Sequence, residues 1–543
     1  MSLTRLSSYL VRCKSKIAAF ITRNLQDKLD EAISIRDFGA TGGPDDTAAI
    51  QLAFNWLAGG NSRTLLIPDG SFNVTNLTLT LQGVNSKNCK IISHGNLRHI
   101  GTGAMLTIKG GMYCKFDMCV VGDGYDSATI PDYTQPDPSG AKQAFVVESC
   151  RACKFQIVGH GYPGRVFRTR KENTAGVKLS FLDLDITTGN DTCGQAMYLE
   201  GTDAWGCITF AQTNWDYYGS VIDTVVDVSC VYWEAGCKNK SKPVIHLKGV
   251  SNSHFTTVAA GGAKMLVEGG SGITIQKALL GESDDWALEV VGSGVGQPKH
   301  QLTIHSLLTA NTGATYGGIH LVNAVGVTLN DALTDGAYKG VSFSGLCRDI
   351  IIRGHFRNSG LYAVYGETAS DLDNILVTGK CYSAGASGFC YFEESNTANV
   401  MLRDATVVVK GMYLRLRDNN NGVSVSGGSW SGSDASITTA INYRPRSISN
   451  VTGISTRKTA ASAAFASGSV SGTKLIVTHG LWRSPNEVTF RIMDPDDNVV
   501  NTANTVIVSS ITDTQIAFKF SGTTTLANPL NLVYTAKAED RSN

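Results

Sequence analysis

Between about Pro243 and Ser426 the apolar residues fall into short alternating runs that recur as two kinds of strand. The first kind includes Val244-Ile245-His246-Leu247, Lys264-Met265-Leu266-Val267, Gly318-Ile319-His320-Leu321, Gly340-Val341-Ser342-Phe343 and Phe389-Cys390-Tyr391-Phe392. The second includes His254-Phe255-Thr256-Thr257-Val258, Gly272-Ile273-Thr274-Ile275, Gly326-Val327-Thr328-Leu329, Asp349-Ile350-Ile351-Ile352, Asn374-Ile375-Leu376-Val377 and Asn399-Val400-Met401-Leu402. Each run is short, β-branched and closed by Gly, Asn or Asp, which makes it strand and not helix. From Gly326 onward the second strand restarts about every 23 to 25 residues, the period of a stacked repeat array. One coil cannot bury its apolar face alone, whereas stacked coils share a continuous core. The pattern predicts an all-β fold: a right-handed single-stranded parallel β-helix, a solenoid.

Outside that region the pattern changes three times. Leu3, Leu6, Leu10, Ile17, Phe20, Ile21, Leu25 and Leu29 recur at helical spacing without Gly or Pro, so residues 1–32 are expected to form an amphipathic helix, a neck or docking peptide. Residues 76–240 continue the coils less regularly. Two stretches interrupt them: the proline-rich Gly122–Lys142, and Glu200–Tyr218 with its aromatic residues. Residues 455–473, rich in Ala, Ser and Gly, read as a linker. Alternation resumes over 474–543, predicting a small antiparallel C-terminal domain, a β-sandwich.

Residues 33–75 carry a more specific signature. They run Ile35-Arg36-Asp37-Phe38-Gly39-Ala40, then Gly43-Pro44-Asp45-Asp46-Thr47, then Leu66-Ile67-Pro68-Asp69-Gly70-Ser71-Phe72. Physically this is a strand, a Gly-rich turn, a capped helix over Thr47–Leu57 and a strand closed by a Pro-Asp-Gly turn. The pattern resembles the N-terminal cap of the pectate-lyase-like β-helix superfamily, as in bacteriophage tailspikes and capsule depolymerases. Thr41-Gly42-Gly43 stands where that family usually has Gly-Asp-Gly. Asp37, Asp45 and Asp46 read as capping and turn residues, because the segment caps the solenoid. The β-helix body is then 33–454. The resemblance implies a phage tail location, a homotrimer, and a terminal β module that trimerises or binds sugar.

Charge and cysteine usage narrow the partners. Formal net charge is +1 with no Lys/Arg cluster, so no nucleic-acid partner is expected. No apolar run approaches the ~18 residues of a membrane span, and no continuous apolar leader follows the first Met. Thirteen Cys without a CxxC framework suit reduced core residues, not a disulfide scaffold. No metal-ligand spacing appears and no cofactor is expected.

With the repeats aligned, the residues after each second strand form an outer column: Trp233/Glu234, Ala259/Ala260, Gln276/Lys277, His305/Ser306, Asn330/Asp331, Arg353 with His355, Lys380 and Arg403/Asp404. A linear bacterial surface polysaccharide fits such a column. Hydrolysis needs two carboxyl groups. Glu234 beside Trp233 leads, with Asp216, Asp203, Asp284 or Asp285 as partner and Asp331 as a further acid of the column. Trp205, Trp215, Tyr217, Tyr218 and Trp286 are candidate sugar platforms. Elimination at a uronate would instead use a base and a cation, His305 or His355 with Lys277 or Arg353. A non-cleaving adhesin is the third reading, since a fold is not an activity.

Overall fold

The structure is a computed structural model. It describes residues 32–537 except 83–84, 123–141, 171–179, 189–192, 202–205, 208–214, 217–218, 238–241, 282, 284, 293–299, 311–316, 385–387, 394–395, 410–411, 417–421, 432–440, 443–446, 450–456, 466–467, 470–473, 479–486, 494–505, 512–514, 521–524 and 527–529. The expected N-terminal helix therefore lies outside the described residues, as does most of each interrupting stretch. The chain divides into two compact units: Met1–Ser293 with Pro298–Ser306, and Gly294–Gln297 with Leu307–Asn543.

In the first unit the cap forms as its residues dictate, with one change. The strand is only Ala32–Ser34, and Ile35–Phe38 winds into a 3-10 turn. Ser34 and Asp37 close it reciprocally: the Ser34 side chain accepts from the helix backbone and Asp37 accepts the Ser34 N–H at 2.8 Å. The helix Thr47–Ala58 buries Ile50, Ala53, Phe54 and Leu57. Asp46 sits at its N-cap position, yet its carboxylate accepts from Thr41 and Gly42 and so ties down the Gly-rich turn. Asp45 accepts the Thr47 N–H instead.

Behind the cap the strands pair in parallel, coil upon coil. A short-strand sheet runs through Arg165–Thr169, Gln195–Glu200, Ser220–Asp223, Ile245–Lys248, Met265–Glu268 and Leu288–Val291. A long-strand sheet runs through Val228–Cys237, Ser251–Gly261 and Ser271–Gly281. The second unit repeats the arrangement. Its short strands are Gly317–Val322, Lys339–Ser344, Tyr362–Gly366, Gly388–Phe392 and Met412–Leu416. Its long strands are Val325–Asp335, Leu346–Arg357, Asp371–Ala384 and Asn396–Val409. The parallel β-helix expectation holds in both units. The eleven cysteines whose side chains are described are all free; ten are buried, as small core residues.

The long strands contain a corner that the sequence hides. Phe255 and Val258 are both buried, with Thr256 and Thr257 turned outward between them; Gln276 and Lys277 do the same between Ile275 and Ala278. Two successive outward residues invert the two-residue alternation beyond the corner. In the second unit Asp331 and Asp404 take left-handed backbone at φ 44° and 50° to make this corner.

The C-terminal strands form antiparallel sheets, as expected. Arg457–Phe465, Leu530–Lys537 and Glu487–Met493 make one three-stranded sheet; Lys474–Thr478, Gln515–Phe520 and Val506–Ile511 make another. The linker expectation fails here. Arg457–Phe465 is an edge strand of the first sheet and Gly468–Ser469 pairs with Thr525–Leu526. Small residues that satisfy a flexible-linker composition also fit a strand when Leu530, Leu532 and Tyr534 lie opposite.

Candidate functional site

The corner decides the first candidate against the sequence reading. On Val228–Cys237 the outward pair is Val231 and Tyr232, so the next residue, Trp233, points inward. Its side chain is fully buried and stacks on Phe255 with centroids 6.2 Å apart. Trp233 is core and cannot carry a sugar. Glu234 does face outward, half-buried, and accepts the Tyr232 hydroxyl, which raises that phenol above its ordinary value. In register beside Glu234 stand Ala259 and Leu279, and beside Tyr232 stand Thr257 and Lys277. The predicted column thus slips by two residues here: Lys277 belongs with Tyr232. No second described carboxylate occupies these rows.

The predicted partners do not repair this. Backbone register sets Asp216 level with Cys237, three positions beyond Glu234. Asp203, Trp205, Tyr217, Tyr218 and Asp284 lie outside the described residues, and of the Trp215 and Asp216 side chains nothing is described. Asp285 pairs with Lys264 at 2.8 Å, and Lys264 also holds Glu289 at 2.7 Å. Burial alone would lower the Lys264 ammonium, but both carboxylates outweigh it and hold it above the ordinary lysine value. Trp286 is buried, its carbonyl accepting from Ser283. Asp285 and Trp286 therefore build a turn, not a sugar platform.

For the elimination set, His305 is exposed on Leu302–Ala310. Arg353 and His355 share the outer face of one strand in the second unit, in register with Thr378 and Lys380. Arg353 donates to Asn330 at 2.7 Å, while Asp331 occupies the corner.

The geometry gathers most where the sequence had marked only strands and turns: on the outer face of the short-strand sheets. In the second unit His320, Ser342, Tyr365 and Tyr391 form one outward ladder. Glu367 and Glu393 each follow their strand by one residue. Gly366 is in register with Phe392, and the Glu393 N–H donates to Gly366 O, so the two acids sit on neighbouring coils, ~4.8 Å apart along the backbone. The Ser342 hydroxyl donates to Glu367 at 2.8 Å; His320 and Lys339 lie 3.7 Å from the same carboxylate. Tyr365 donates to Glu393, and burial, then that bond, push its phenol well above the ordinary value. The buried rings of Tyr362 and Tyr391 back Tyr365 at 6.0 and 5.5 Å, and the Lys339 ammonium sits 4.0 Å over the Tyr365 ring. Any signal in the sequence was slight: Tyr365-Gly366-Glu367 and Phe392-Glu393 end successive first-kind strands with an acid.

In the first unit the same face carries Arg168, Tyr198, Glu200, Asp223, His246, Lys248 and Glu268. Glu200 is in register with Asp223, Asp223 with Lys248 and Lys248 with Glu268. Tyr198 donates to Asp223 at 3.0 Å and Lys248 pairs with it at 3.1 Å. Burial would raise the Asp223 carboxyl, but hydrogen bonds from Thr224, Lys248 and Tyr198 outweigh it and hold it below the usual carboxylate value. His246 sits 2.9 Å from Glu268; burial, only partly opposed by that acid, lowers the imidazole.

The molecule is therefore a parallel β-solenoid whose described outer faces carry tyrosine–carboxylate clusters. No family model matches the chain. It is 63% identical over 38 residues to the tail spike protein of an Escherichia phage, a stretch that is 7% of this chain and 5% of that protein. The chain thus matches only about a twentieth of that relative's length. Solved structures with a similar trace include gp54 tailspike of Acinetobacter baumannii bacteriophage AP22 in complex with A. baumannii capsular saccharide (10% identity, TM-score 0.41, covering 99% of this chain and 100% of that one). Others are a tailspike mutant of E. coli bacteriophage HK620 in complex with pentasaccharide (11%, 0.33, 96% of each) and an exopolygalacturonase from Thermotoga maritima (10%, 0.30, 71% and 90%). At such identities and scores they assign no residue or activity to this chain.

Proposed function

We propose that this protein is a phage tailspike that binds and hydrolyses a bacterial surface polysaccharide, capsular or O-antigen, at Glu367 and Glu393. One observation carries the reading: two carboxylates on neighbouring coils, set beside a tyrosine backed by aromatic rings on an outer sheet face. A coil spacing of ~4.8 Å suits the ~5–5.5 Å separation of a retaining pair. Lys339, 3.7 Å away, stabilises negative charge on Glu367, which fits it to attack the anomeric carbon. Glu393 then protonates the departing glycosidic oxygen, and afterwards takes a proton from the water that releases the glycosyl group. The 38-residue match supports a place on a phage tail. Three chains per particle and docking through the N-terminal segment belong to the same proposal, and light scattering of the purified protein tests the first.

The decisive assay incubates the protein with capsular and O-antigen polysaccharides from a host panel, following reducing ends and unsaturated-uronate absorbance together. Reducing ends alone are expected, and Glu367→Gln or Glu393→Gln should abolish them. A rise in both signals would replace hydrolysis with elimination and turn attention to Arg353 and His355. Tight binding with neither signal would make the protein an adhesin.

A further inference from the structure

We propose that Arg165, Tyr198, Glu200, Asp223 and Lys248 in the first unit form a second carbohydrate site, one that holds sugar without cutting it. The inference rests on the reading of the Glu367/Glu393 cluster as a saccharide site, because the two are built alike. In each, a Tyr-x-Glu unit stands at the end of a short strand: Tyr198 with Glu200, Tyr365 with Glu367. In each, the tyrosine hydroxyl donates to an acid of the following coil, Asp223 or Glu393. In each, a cation from the preceding coil lies 4.0 Å over the tyrosine ring: Arg165 in one, Lys339 in the other. Arg165 is buried and fixed, donating to Gln195 at 2.8 Å.

The first-unit acids carry close counter-charges. Glu200 pairs with Arg168 at 3.3 Å, and Asp223 takes Lys248 at 3.1 Å and the Thr224 hydroxyl at 2.6 Å. Both acids are neutralised by neighbouring cations, and Asp223 stays ionised at neutral pH. With Asp223 ionised and Glu200 paired to Arg168, the site is assigned to holding sugar and not to cutting it. The Glu200 and Lys248 side chains are 38% and 48% exposed above a floor that includes Asp223 at 13%. Fixed acceptors and donors alternating at coil spacing match the hydroxyls of a sugar chain, and charge-assisted hydrogen bonds make such contacts selective.

The test uses the full chain carrying Glu393→Gln, with oligosaccharides made by mild acid hydrolysis of the polysaccharide of the susceptible host strain. Equilibrium dialysis with short fragments should give two bound per chain. Adding Glu200→Ala and Lys248→Ala should bring this to one, with the remaining site's affinity unchanged within about twofold. Should the added changes prevent folding, Tyr198→Phe keeps the ring, removes the hydroxyl and should weaken one of the two sites at least about fivefold. A stoichiometry of one that these changes leave alone overturns the second site and spares the first. Full cleavage by a Glu367→Gln, Glu393→Gln protein overturns the first instead, and no binding of any fragment overturns both.

Discussion

Two acid pairs, Glu200/Asp223 and Glu367/Glu393, stand at matching places on the coils of the two units, and their surroundings set them apart. Both have a tyrosine donor and a cation over its ring. In the first unit Arg168 and Lys248 close on the acids at 3.3 and 3.1 Å; in the second the Lys339 ammonium lies 3.7 Å from Glu367. A carboxyl group becomes a general acid only if it can hold a proton near the working pH. Like acids on like strands thus differ in the charged residues that the adjacent coils set beside them.

The sharpest way to break that comparison is to neutralise the acids. Glu367→Gln or Glu393→Gln should lower kcat by about 10²–10⁴-fold, whereas Asp223→Asn should act on KM with kcat within about threefold, both measured by reducing-end release. An equal fall in kcat at both pairs would erase the distinction. Next in size is a contrast within one strand. Trp233→Ala removes a fully buried indole and should cost about 3–5 kcal/mol in guanidinium unfolding. Glu234→Ala, one residue on, should change stability by no more than about 0.5 kcal/mol and leave cleavage intact.

Smaller effects separate the two tyrosine clusters by pH. The folded-state phenol of Tyr365 lies above its ordinary value of 10.0, so its contribution to stability is complete below that value and is lost as pH rises through the folded value. Tyr365→Phe should flatten the alkaline loss in thermal unfolding above about pH 10; an unchanged slope would contradict it. Asp223 behaves oppositely. Its folded-state carboxyl lies below 3.8, so its contribution is present above that value and is lost as pH falls through the folded value. Lys248→Ala should bring the folded value back toward 3.8 and shrink the acid-side loss. Melting curves from about pH 5 down to about pH 2 read this directly.

Much of the fold was legible because it depends on local pattern. The restarts of Ile350, Ile375 and Val400 at a fixed period mean stacked coils, and Asp37 and Asp45, read as capping and turn residues from the resemblance of their segment, do accept the Ser34 and Thr47 N–H groups. The candidate site was not legible: Glu367, Glu393 and Tyr365 were not singled out by the sequence, whereas Arg353 and His355, which were, stand two residues apart on another strand. Trp233 misled because the corner at Val231 and Tyr232 consumes one extra outward residue and inverts the alternation after it. Elsewhere the corner is two successive polar residues, Thr256-Thr257, Gln276-Lys277 and Asn330-Asp331, but Val231-Tyr232 carries no such mark.

Periodicity and what can be buried, both readable from the residues alone, set the solenoid, its short-strand and long-strand coils, its reduced cysteine core and the C-terminal β region. Which acids meet depends on how the coils stack. Glu367 and Glu393 are 26 residues apart in the chain, and Tyr365 finds Glu393 because one coil lies on the next. The linker composition of 455–473 likewise yielded to its partner, since strand or coil there depends on what Leu530–Lys537 presents across the ladder. Contacts between coils are made by register, and register is a property of the stacked backbone that no single coil contains.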